Sequence, residues 1–450
     1  MTSILSFKAF SPQHRLLHRF AALLLLCLLG ACSSENGKNT WKTAITGTGV
    51  EILQTENGFQ LFREGKPFVI KGASGYLYWE ELARQGANTA RTYDSFRLDS
   101  LLDHADTLGL AVIAGMDVPK IRDGFDFSRQ EATDALTDSL LQTVKQYKNH
   151  PALLCWALGN EVNLLHFDNK DYWTWTNQMV QAIHAADPAH PVIVSVNERR
   201  RNYELAQKLA PSIDILGVNV FANMEQMIGD LDAEDTWRGP LLVTEWSPIG
   251  YWEAERTQWN APVESSDLKK AALYEWYYQT YLSEQNPRLL GSLVFYWGQK
   301  LERTDTWFSL FSIESEKTAV VDAMGKVWGA PQPDNHAPTV GALFFDGPEV
   351  ARDVFLPAGD QVRVQAFPED LDGDEIVLTW EILPEGDYMY ITGGDAEIRP
   401  EPVETEIATE GNFASFQVPE KTGAYRIFAY ARDAKGGFGY HNLPFYVVNK

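Results

Sequence analysis

Apolar runs of four to eight residues recur along the first three quarters of the chain, and between them apolar residues return every third or fourth position. The runs occupy residues 68–71, 89–93, 111–117, 153–160, 192–196, 215–221, 241–245 and 293–297. Each is short enough for a strand and continuous enough to be buried on both faces. The stretches between them read as helices: Leu98, Leu101, Leu102, Ala105 and Leu108 share one helical face, and so do Met179, Val180, Ile183 and Ala186. Alternating strand and helix imply parallel pairing with helices outside, and eight repeats predict an α/β chain folded as a (β/α)8 TIM barrel over residues 50–330. An open doubly wound sheet competes, but Lys71-Gly72-Ala73-Ser74-Gly75 lacks the glycine spacing of its phosphate turn. Ahead of the first barrel strand, Asn57-Gly58 predicts a tight hairpin.

After Ala330 the pattern changes. Residues 331–337 are a proline-rich polar linker, and residues 338–450 hold short alternating strands at 361–366, 376–382, 413–418, 425–432 and 443–448. This predicts a small all-β, immunoglobulin-like sandwich. From His336 to Lys450 there are 20 Asp+Glu against 8 Lys+Arg, a net of −12, which supports a separate module. Asp370, Asp372 and Asp374 mimic a calcium loop, but Glu375 stands where its glycine belongs, so a turn is expected and no metal.

The first residues form a targeting pattern: His14, Arg15, His18 and Arg19, an apolar run over 20–29, then Leu29-Gly30-Ala31-Cys32. The last four residues resemble a bacterial lipobox. Residues 1–31 are therefore expected to be a lipoprotein signal peptide, and residues 32–49 the lipidated Cys32 and its tether. A bacterial cell-envelope location follows, lipid-anchored in the outer membrane with the barrel extracytoplasmic. Of the other cysteines, Cys27 leaves with the signal and Cys155 is expected to be a small buried hydrophobe, leaving no disulfide. A net charge of −23 argues against nucleic acid, and the nine histidines show no metal-hydrolase spacing, so no cofactor is expected.

Two predicted strands run straight into a carboxylate: Trp156-Ala157-Leu158-Gly159-Asn160-Glu161 and Leu241-Leu242-Val243-Thr244-Glu245-Trp246. Most of the 61 acidic residues occupy solvated faces, so either glutamate alone carries little weight. Together, at the C-terminal ends of barrel strands, they fit paired-carboxylate chemistry. One serves as proton donor to a leaving oxygen and the other as nucleophile or base, as glycoside hydrolysis requires.

These motifs resemble glycoside hydrolase clan A, most closely the barrel domain of family 2, over roughly residues 50–330. The resemblance implies Glu161 as acid/base after Asn160, Glu245 as nucleophile, and Arg91 at the end of strand two steadying it. It further implies Trp297 as a sugar platform closing strand eight and Asn219 at the end of strand six, with Phe221 where a tyrosine is common. Trp246 and Asp94 are further expected substrate contacts, with Asp117, Tyr251 and Trp252 as weaker candidates. The family 2 N-terminal sandwich domains are lacking, and Tyr93-Asp94 and Gly159-Asn160-Glu161-Val162 are similar to family 72 β-1,3-glucanosyltransferases. A retaining β-glycoside hydrolase acting on a β-linked glycan is the expectation. A β-glucan transglycosylase and a non-catalytic carbohydrate-binding lipoprotein are its alternatives.

Overall fold

The computed structural model of the protein describes residues 49–283, 286–346, 352–386 and 397–450. The expected signal peptide, Cys32 and almost all of its tether lie outside the described residues. Among the described residues no helix is long and apolar enough to cross a membrane.

Eight parallel strands close on themselves: β1 Ile70–Ser74, β2 Thr89–Arg91, β3 Ala111–Met116, β4 Leu153–Asn160, β5 Val192–Asn197, β6 Ile215–Phe221, β7 Leu241–Ser247 and β8 Leu289–Val294. Closure is made where β8 pairs with both β7 and β1. Helices α1 Trp79–Arg84, α2 Leu98–Leu108, α3 Gln130–Tyr147, α4 Lys170–Ala186, α5 Arg200–Leu209, α6 Met224–Asp232, α7 Asp267–Tyr277 and α8 Ala319–Trp328 follow the strands in turn. This is the TIM barrel. Its eighth strand lies earlier than the apolar run suggests, because Gly291 and Ser292 interrupt the hydrophobic pattern inside it.

Strand residues sort into two apolar layers by alternation. Ile70, Ile113, Cys155, Ile193, Ile215 and Leu242 fill the barrel interior, where the hairpin Val50–Thr55/Gly58–Arg63 adds Val50, Ile52 and Leu61. Outward residues such as Trp156, Val194, Val218 and Val243 pack under the helices.

Beyond the barrel, two β-sheets pack face to face. Thr339–Phe345, Gln361–Glu369, Phe413–Gln417 and Ile407–Glu410 make one. Val377–Pro384, Gly423–Arg432, Gly437–Val448 and Val354–Pro357 make the other, and Lys317–Thr318 from the barrel side extends it in parallel. Val364, Phe416, Ile427 and Phe445 fill the space between them.

Candidate active site

Asn219 and Arg91 reach the barrel mouth by plain alternation along β6 and β2. The two glutamates do not. Along β7, Leu242 points into the barrel and Val243 out, which would send residue 246 inward and residue 245 outward. Register shifts around Val243, Glu245 and Trp246 break the alternation, so that Glu245 turns into the mouth and Trp246 into the helix layer. In β4 the break lies between Ala157 and Asn160. There Gly159 holds φ +71°, and a Cβ on it would stand 2.5 Å from Val162 Cγ2 and 3.0 Å from Val118 Cβ. Glu161 itself has φ +49°, a left-handed conformation that costs a non-glycine residue on the order of 1 kcal/mol and is held only where its surroundings over-determine it.

One chain of hydrogen bonds ties these residues together. Arg91, fully buried, donates from Nη1 to Glu245 Oε1 at 3.1 Å and to the Thr244 carbonyl at 3.1 Å, and from Nη2 to Asn160 Oδ1 at 2.8 Å. Asn219 Nδ2 donates to Asn160 Oδ1 at 3.1 Å and to Glu161 Oε1 at 3.0 Å, while its Oδ1 accepts from Thr244 Oγ1 at 2.7 Å. Asn219 therefore steadies Glu161 rather than Glu245. The Tyr93 ring covers the Arg91 guanidinium at 4.7 Å, and its phenol lies beside Glu245. A tyrosine is thus present beside Glu245, supplied by the chain just after β2 instead of the β6 position held by Phe221.

Both glutamates open on one cavity of about 1060 Å³, with Asn160, Asp94, Asp117, Tyr251 and Trp252 also on its wall. Their electrostatics differ. Burial, then the charge of Glu245, push Glu161 up to about 7. Burial also raises Glu245, but the Arg91 guanidinium and the Tyr93 phenol oppose it. Glu245 is the carboxyl that ionises first, and Glu161 keeps its proton longer.

The structure corrects two expected substrate contacts. Trp246 is wholly buried, packed on Tyr274 and Tyr278 at ring distances of 5.3 and 6.3 Å. Trp297 is also wholly buried, its indole N–H donating to the Tyr78 carbonyl at 3.0 Å and its ring against Phe311 and Trp328. The chain turns after Val294, so Phe295 and Tyr296, not Trp297, line the cavity. Tyr76, Glu198, Lys120 and Lys300 line it too and escaped the sequence reading, being loop or strand-end residues outside any periodic pattern. Only Tyr93, in step with Arg91 at the end of β2, had a signal that alternation could have found.

Replacing Arg91 by methionine would leave Glu245 buried without its cation. The expected loss of stability is about 3–5 kcal/mol, read by chemical denaturation at neutral pH. A loss below about 1 kcal/mol would mean that the carboxylate does not depend on the guanidinium.

Residues 79–249 match the sequence profile of glycosyl hydrolases family 2, TIM barrel domain. A β-glucuronidase from Chlorocebus aethiops is 22% identical over 280 residues, which cover 54% of this chain and 40% of that protein. One from Pongo abelii is 25% identical over 202 residues, covering 40% of this chain and 29% of that protein. The crystal structure of Bacteroides uniformis β-glucuronidase aligns with a TM-score of 0.47 and 15% identity, over 87% of this chain and 47% of that one. The chain spans about two fifths of the length of the first of these curated relatives. The matched segment runs from α1 to just past β7 within the closed eight-stranded barrel, so the barrel of this chain is similar in sequence and topology to the TIM-barrel domain of glycosyl hydrolases family 2.

Proposed function

We propose that the protein is a retaining β-glycoside hydrolase working by double displacement. One observation carries this reading: Glu161 and Glu245 share a single cavity, linked through Asn219, Asn160 and Arg91, with environments that separate their protonation. Glu245 attacks the anomeric carbon while the bond to the leaving oxygen breaks and Glu161 gives that oxygen its proton. Glu161, now a carboxylate, then takes a proton from water, whose oxygen displaces Glu245 and returns the sugar with its original configuration.

The substrate is a β-linked glycan. Lys300 lines the cavity close enough to Glu245 to bias its ionisation, so a carboxylate on the bound sugar would meet a cation there. The curated relatives are β-glucuronidases, which supports the same choice. Aryl β-glucuronides, β-glucosides, β-galactosides and β-mannosides, tested on the soluble form lacking residues 1–32, decide it. The β-glucuronide should have the highest kcat/KM, and Lys300→Met should lower that value selectively, by about 10-fold for one charge-assisted contact. Product anomers followed by proton NMR from the first turnover should retain configuration; an inverted first product sinks the double displacement.

We further propose that Cys32 carries a lipid that anchors the protein at the bacterial cell envelope. Metabolic labelling with an alkyne fatty acid should tag the full chain, and Cys32→Ser should remove the tag. Equal labelling of the two would end the lipoprotein proposal.

A further inference from the structure

The turn that follows β8 has two faces. Gln299, Lys300, Glu302 and Arg303 line the cavity, while the residues just after them are held by the C-terminal sandwich. Glu302 and Thr304 close the turn with backbone hydrogen bonds of 3.2 and 2.9 Å, which leaves Arg303 at its tip with φ +67°. The Arg303 amide donates to Glu397 Oε2 of the sandwich at 2.9 Å, and its guanidinium lies 4.7 Å over the Tyr251 ring on the cavity wall. Asp305 pairs with Arg399 of the sandwich at 3.3 Å.

Behind the turn lies a buried ionic node. Lys270 of α7 donates to Glu264 and to the Thr306 and Trp307 carbonyls at 2.9 and 3.0 Å, and contacts the Tyr440 hydroxyl at 3.0 Å. Tyr440, from the sandwich, donates in turn to the Thr306 carbonyl at 3.0 Å. The second oxygen of Glu264 accepts from Thr304 Oγ1 and from Asn442 Nδ2, both at 2.7 Å. Asn442 is bonded to Arg426, whose charge is met by Glu385 at 2.8 Å. A node this deep is costly to bury unless every charge is satisfied, and its members come from both the barrel and the sandwich. Neither part completes it alone. A left-handed arginine at the turn tip likewise persists only because its neighbours hold it there.

We propose that the sandwich buttresses the wall of the sugar cavity from behind: Glu397 and Tyr440 are positioning residues that hold the 299–303 turn, and Lys300 with it, in place for the bound sugar. The proposal rests on the glycosidase reading of the cavity. A sandwich serving only as a spacer or a separate glycan-binding module would place no such demand on the turn.

The test uses the full mature chain with Glu397→Ala, Glu397→Gln and Tyr440→Phe, assayed on the best aryl β-glycoside, together with amide hydrogen exchange. Glu397→Ala should raise KM about 3- to 10-fold, the equivalent of one lost hydrogen bond, with kcat within about twofold. Glu397→Gln keeps the acceptor oxygen and should restore KM. Both Glu397→Ala and Tyr440→Phe should speed exchange within residues 299–308 and leave the barrel strands unchanged. A lowered melting temperature with wild-type KM, or exchange in the turn that none of the variants alters, overturns the inference. Failure of the glycosidase reading looks different, as a wild-type protein without turnover on any glycoside. In that case the exchange data alone decide whether the sandwich holds the turn.

Discussion

Glu245→Ala should abolish turnover, lowering kcat on an activated aryl β-glycoside by on the order of 10⁴-fold or more, about 5.5 kcal/mol in the barrier. Among the described residues no other carboxylate pairs with Arg91, so none stands ready to replace Glu245. The alanine also leaves a space beside the anomeric carbon. Added azide can attack from there, and the product should be a glycosyl azide of inverted configuration, identified by NMR. Folding should survive, because the Arg91 guanidinium keeps its bonds to the Thr244 carbonyl and to Asn160; circular dichroism and the melting transition check this. Activity within tenfold of wild type, or rescue giving the retained azide, would assign the nucleophile elsewhere.

Glu161→Ala separates substrates by leaving group. For a natural glycan or an alkyl glycoside, the departing alkoxide needs a proton in the transition state, and kcat/KM should fall about 10²- to 10⁴-fold. For a dinitrophenyl glycoside, which needs none, kcat/KM should change less than about tenfold. Azide should here give the retained product, since it attacks the glycosyl-enzyme from the side that water uses. The pH dependence follows from the same residue. In the wild type, Glu161 loses its proton as pH rises through about 7, so kcat/KM for a poor leaving group should fall above that pH. It should also fall at low pH, where Glu245 becomes protonated. With Glu161→Ala and the activated substrate the alkaline limb should vanish while the acid limb stays. Equal losses on both classes of substrate, or an alkaline limb that persists, would remove Glu161 from the acid role.

The barrel was legible because its strands are buried on both faces and its helices on one, and those two burial patterns differ in period. Arg91 and Asn219 came from the family resemblance, and the structure places each in phase with the inward residues of its strand. Trp246 and Trp297 were not legible in this way. Both are large aromatics beside strand ends, and alternation extended from Leu242 would put Trp246 in the mouth. A bulge of one residue in β7 reverses that assignment, and the turn after Val294 carries Trp297 to the helix side. Neither irregularity has a signal in side-chain type. Lys300, Tyr296 and Tyr76 escaped because a loop residue's position depends on what the loop leans against.

Sequence alone therefore determined the barrel and the all-β character of the last hundred residues, from local periodicity, and the two glutamates with Asn160 beside one of them, from the apolar strands that run into them; Arg91 was legible only through the family resemblance. Tertiary structure alone decided which neighbour of each glutamate faces the cavity and which carboxyl holds its proton longer. It alone also decided that the acidic sandwich contacts the turn beside the cavity. Those depend on register shifts, on charges 84 positions apart in the chain, and on contacts from Glu264 to Asn442, distances in sequence across which no local pattern carries information.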